Sequence, residues 1–137
     1  MSFNPRFAVL TVAWIAVIYW LSSMPDLSTV EEARWLSIAS NLAHIPLYGV
    51  LTFFVLKTFS VPAPTWNVYA LGFVLAAVYG VLDEWHQSFV PGRVGSSADV
   101  MVDVSSACGV LVAYYLWTRR RRKSSRAVAR AGEMWAD

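Results

Sequence analysis

The chain has 137 residues, of which 57% are hydrophobic and only 15% charged, with 11 Lys and Arg set against 9 Asp and Glu. Soluble domains average about half apolar and a quarter charged, so this balance excludes an ordinary soluble domain and points to a membrane protein. The single cysteine, Cys108, excludes an intramolecular disulfide and a cysteine metal cluster, and reads as a small packing residue.

Apolar blocks run from Phe7 to Leu21, Leu42 to Phe59, Trp66 to Leu82 and Val100 to Trp117. Each approaches the roughly 17 to 25 residues a spanning helix needs, so the expected fold is all-α, a four-helix transmembrane bundle. The first block, with Arg6 before it and Ser22 and Ser23 after it, also fits a signal peptide; Trp14, Tyr19 and Trp20 favour a retained span with interfacial aromatics. Beyond it, Ser28-Thr29-Val30-Glu31 forms a capping-box pattern ahead of Trp35, Ile38, Ala39 and Leu42 at helical spacing. This predicts a short interfacial helix in the first outer loop.

Lys and Arg beside spans are retained in the cytoplasm, and the run Arg119 to Lys123 therefore places the C-terminus inside. Four crossings put the N-terminus inside too, an N-in/C-in topology. Arg6, Lys57, Arg126 and Arg130 then join the run on the inner side, leaving Arg34 and Arg93 outside with most of the acids: Asp26, Glu31, Glu32, Asp83, Glu84, Asp99 and Asp103. Residues 1–118 make the expected membrane domain and 119–137 a basic cytoplasmic tail. The tail reads as a topology anchor drawn to anionic lipid head groups, with no nucleic acid as partner.

Gly72, Ala76 and Gly80 form a ladder of small residues that lets another helix approach the third span closely. Continued at 100° per residue, Asp83, Glu84 and Gln87 point into the bundle, Trp85 points to lipid and His86 lies on the flank. Two carboxylates at a helix C-terminus face each other and the negative pole of the macrodipole. Two compensations remain open: an ion pair with Arg93, returned by the turn Pro91-Gly92, or a bound cation or a proton shared between the acids. Asp99 caps the fourth span through Ser96-x-x-Asp99. Asp103 lies a turn deeper among apolar residues, and an intramembrane acid needs a partner, here Arg93 or His44. His44 and Tyr48 share one face of the second span, with Pro46 between them near its first turn.

The set His44-x-x-x-Tyr48, Asp83-Glu84-x-x-Gln87-x-x-x-Pro91-Gly92-Arg93 and Ser97-x-Asp99, with Gly109 in the last span, resembles the VanZ-like family of small bacterial membrane proteins. The likeness extends from Leu21-Ser22-Ser23-x-Pro25 to Gly109. Family members often have a lysine where this chain has Asn41, and commonly an asparagine where it has Asp103. The resemblance implies placement in a bacterial inner (plasma) membrane and a link to glycopeptides of the teicoplanin type, and it implies no particular reaction.

Three functions stay open. The chain is an envelope protein that binds a lipid or lipidated glycopeptide in a polar cup of His44, Tyr48, Asp83, Glu84, Gln87, Arg93 and Asp99. Or it is a membrane enzyme acting on a lipid-linked phosphate or sugar, with Glu84, His44 and Asp83 as catalytic residues and a divalent cation on Asp83, Glu84, Asp99 or Asp103. Or the network only locks helices together. No phosphate-cradling Gly-rich loop suggests a nucleotide-driven machine.

Overall fold

The computed structural model describes residues 3–25, 30–59 and 65–134, and side chains outside 30–41, 127 and 129–134. The described residues form four helices: α1 (Pro5–Ser22), α2 (Val30–Phe59), α3 (Trp66–Gln87) and α4 (Ser97–Met134). All four contain a stretch long and apolar enough to cross a membrane, so the chain is a multi-pass membrane protein. Ser28 and Thr29 of the expected capping box lie outside the described residues.

Local chemistry sets the helix starts. The Asn4 side chain accepts the amides of Arg6 and Phe7, with Pro5 at the first helical position. The loop segment from Val30 is helical and runs into the second span without a break. Pro46 therefore lies inside α2 rather than in its first turn, because the residues before Leu42 extend the helix backward. Around this proline, side chains of other helices bond to the α2 backbone: Ser106 Oγ donates to the Ile45 carbonyl, and Trp14 Nε1 to the Leu47 carbonyl at 2.9 Å.

Helices α2, α3 and α4 pack on one another, and α1 lies against α2 with a lighter contact to α3. Two apolar clusters hold the bundle, one of Ile18, Tyr48, Leu51 and Val55, the other of Leu56, Val68, Tyr69 and Tyr114. Polar side chains add ties, as expected where lipid gives no hydrophobic force between helices: Tyr79 Oη donates to the Ile15 carbonyl at 3.0 Å, and Thr11 and Thr58 hydroxyls lie 3.3 Å apart. Large apolar residues such as Val12, Phe53, Val74, Val78 and Val112 face outward, the arrangement of a bundle solvated by hydrocarbon. Cys108 of α4 is exposed as well.

The basic run does not form a separate element. α4 continues through Arg119–Lys123 to Met134 as one helix, and the Arg121 guanidinium stacks 4.4 Å from the Trp117 ring centroid.

Candidate functional site

The small-residue ladder of α3 is buried at Gly72, Ala76 and Gly80, and it places the groups that follow. A Cβ on Gly72 would stand 3.4 Å from Leu56, and one on Gly80 would stand 3.1 Å from Asp103 Oδ2 and 3.6 Å from Tyr48. One turn further, Asp83, Glu84 and Gln87 are buried, as the rotation along α3 predicts, while Trp85 is 64% exposed. His86 is tied to α1: its Nε2 lies 3.0 Å from Ser23 Oγ and its ring stacks on Tyr19.

Gln87 bridges the acidic pair. Its Nε2 donates to Asp83 Oδ2 at 3.0 Å and to Glu84 Oε1 at 3.3 Å. Glu84 Oε2 accepts the backbone N–H of Ser96 at 2.7 Å. From α2, His44 stacks parallel to Tyr48, with centroids 5.9 Å apart, and its Nδ1 lies 2.9 Å from Asp103 Oδ1 on α4. Of the two partners expected for Asp103, the structure selects His44.

Of the two compensations left open for the acidic pair, the ion pair with Arg93 does not form. Arg93 Nε donates to the Met24 carbonyl at 3.0 Å and its NH1 to Gln87 Oε1 at 3.1 Å, and no Arg93 nitrogen comes within ion-pair distance of Asp83 or Glu84. The reason lies in the loop: Val90-Pro91-Gly92-Arg93 closes a type II turn, with Gly92 at φ 80° and the Arg93 amide on the Val90 carbonyl. That turn carries the guanidinium over the rim, to the amide that already holds both carboxylates. Asp99 lies half-buried in the first turn of α4. Ser96 caps this helix through Oγ to the Ala98 amide, and its own N–H donates across the loop to Glu84.

Two contributors escaped the sequence reading. Gly95 packs so closely on α3 that a Cβ there would stand 2.7 Å from the Glu84 carbonyl, and this approach delivers the Ser96 amide to Glu84. Its only signal was a second glycine three residues after Gly92. By spacing, Ser96 is only a helix cap.

The cluster gathers three carboxylates, Asp83, Glu84 and Asp103, around one imidazole, all in buried residues. Among the described residues, Tyr48 Oη, Asp83 Oδ1 and Asp103 Oδ2 are buried without completing a short hydrogen bond, a costly state for polar groups, and Tyr48 faces Asp83. A nitrogen of His44 and one oxygen each of Asp83 and Glu84 lie within 4.8 Å of one another. Of the four acids expected as metal ligands, Asp83 and Glu84 belong to this group, whereas Asp103 stands behind His44 and Asp99 lies outside the group.

No curated protein and no solved structure matches the chain. The sequence profile of the VanZ/LLP1 family matches residues 7–121, from the first helix through the acidic pair and the Pro91-Gly92-Arg93 turn into the start of the basic run. A four-helix membrane bundle with this polar cluster at the end away from its basic run, matched over most of its length, belongs to the VanZ/LLP1 family.

Proposed function

We propose that this VanZ-like protein works in the cell envelope by binding the polar end of a lipid or lipidated ligand at the His44, Asp83 and Glu84 end of the bundle. Through that binding it contributes to resistance to glycopeptides of the teicoplanin type. The carrying observation is the set of three buried polar atoms, Tyr48 Oη, Asp83 Oδ1 and Asp103 Oδ2, none of which completes a short hydrogen bond among the described residues. A network that served only to lock helices together would close on itself. Arg93, half-exposed at the rim, suits an anionic head group, and the exposed Trp85 and Phe89, in edge-to-face contact, form an aromatic pair suited to the interface. In this reading, which the partition of Lys and Arg supports, the cluster end faces outward and both termini lie in the cytoplasm of a bacterial plasma membrane.

A second reading, an enzyme acting on a lipid-linked phosphate or sugar, is favoured by the His44–Asp103 pair. An imidazole whose Nδ1–H is held by a carboxylate keeps Nε2 as an acceptor, the state of a general base. Glu84 and Asp83 would then act beside it.

Survival across teicoplanin and vancomycin gradients, at matched membrane abundance, tests the proposal with wild type, Glu84→Gln and Arg93→Ala. Protection by wild type and its loss in both variants supports it. Equal protection by all three, or none by wild type, overturns it. Lipid extracts of the same cells separate the readings, since an enzyme alters the pool of lipid-linked precursor and a binder does not.

A further inference from the structure

We infer that His44, Asp83 and Glu84 bind one divalent transition-series cation, through an imidazole nitrogen and one oxygen from each carboxylate. This cation site goes beyond the lipid reading and does not depend on it: a protein with no part in resistance would still bind the ion.

The three ligand groups come from two helices and converge within 4.8 Å. Ligand atoms around a tetrahedral zinc, at bonds of about 2.0 to 2.2 Å, stand roughly 3.3 Å apart, so side-chain rotations of about an ångström close the group on an ion. Two further observations point to a ligand. Asp83, 3% exposed, keeps Oδ1 without a partner among the described residues while Gln87 holds Oδ2. Tyr48, 0% exposed, brings its hydroxyl toward Asp83 in the same cluster without completing a short hydrogen bond.

The surroundings are those of a metal's outer shell. Asp103 holds Nδ1 of His44, which leaves Nε2 as the coordinating nitrogen and fixes the ring, as carboxylates do behind metal-bound histidines. Gln87 and the Ser96 amide steady the Glu84 carboxylate, whose oxygens retain lone pairs for an ion. One imidazole with two carboxylates suits Zn²⁺ or Mn²⁺, whereas Ca²⁺ and Mg²⁺ favour oxygen ligands alone. Three protein ligands leave a position open, which a water or an anionic head group can fill. Charge argues the same way: three buried carboxylates face one imidazole, and the nearby Arg93 is bound to Gln87 rather than to an acid.

The test uses the purified full chain in detergent, carrying no histidine tag, titrated with Co²⁺ as a spectroscopic stand-in for Zn²⁺. One equivalent should bind, be displaced by Zn²⁺ in preference to Mg²⁺, and weaken at least tenfold in His44→Gln and Asp83→Asn. His86→Gln, whose imidazole is engaged with Ser23 and Tyr19 outside the group, should bind as wild type does. No saturable binding by wild type overturns the proposal, and so does unchanged affinity in both cluster variants. A measurement on wild type alone covers misfolding of the variants: pulsed electron paramagnetic resonance of the Mn²⁺-loaded protein should show coupling to an imidazole nitrogen, and its absence also overturns the site. Because neither lipid nor glycopeptide is present, these results are independent of the resistance assay.

Discussion

Glu84 on α3 supplies a cap bond to the start of α4: its Oε2 accepts the Ser96 N–H at 2.7 Å, while its Oε1 accepts from Gln87. One carboxylate thus ties a helix end, a loop and the cluster. Glu84→Ala removes both acceptors and should cost about 1 to 3 kcal/mol. Glu84→Gln keeps one carbonyl oxygen and should cost less than half as much. Thermal unfolding followed by helical circular dichroism in detergent measures the difference.

Two glycines separate close approach from open space. Gly95→Ala would press a methyl to 2.7 Å from the Glu84 carbonyl, a backbone atom unable to step aside; we expect a loss of about 1 to 3 kcal/mol and less protein in the membrane. At Gly109 a Cβ would meet nothing within 4 Å. Gly109→Ala should leave stability unchanged or raise it by up to about 1 kcal/mol through helix propensity. Melting both variants in parallel checks the contrast.

Gly80→Ala acts on the cluster rather than on the fold. The added methyl would lie 3.1 Å from Asp103 Oδ2 and 3.3 Å from its Cβ, so the carboxylate that holds His44 must give by a few tenths of an ångström. Cation affinity should fall at least threefold, while the melting temperature stays within a few degrees because better helix propensity offsets part of the crowding.

Tyr48→Phe gives opposite signs for stability and binding. The hydroxyl is fully buried and completes no short hydrogen bond, and removing such a group is neutral or stabilising by about 1 kcal/mol. The ring that stacks on His44 remains. The metal-free variant should melt at the same temperature as wild type or higher, yet gain less on adding Zn²⁺. Paired melts with and without the metal distinguish this from simple loss of packing.

Which way the polar groups face was legible in the sequence, because three small residues at intervals of four fix the inner side of α3 and helical rotation carries it to Asp83, Glu84 and Gln87. Which partner each would take was not. Arg93 had carboxylates and an amide within reach of its loop, and only the closed turn at Gly92 decides for Gln87. The Ser96 amide, assigned by local pattern to its own helix, is captured by Glu84 from α3, a choice made by the contact at Gly95. Sequence spacing measures distances along one helix; these bonds run between helices.

The five consecutive basic residues of α4, Arg119 to Lys123, wrap its whole circumference at 100° per residue. A collar charged on every side cannot sink into hydrocarbon in any orientation, so it stops α4 from sliding along its own axis. Asp103 lies about 24 Å from Arg119 along that axis, at 1.5 Å per residue, against a hydrocarbon core of about 30 Å. The depth of the cluster is thus gauged from the opposite face of the membrane. A thicker bilayer draws Asp103 and its neighbours further beneath the surface, and a thinner one lifts them toward water.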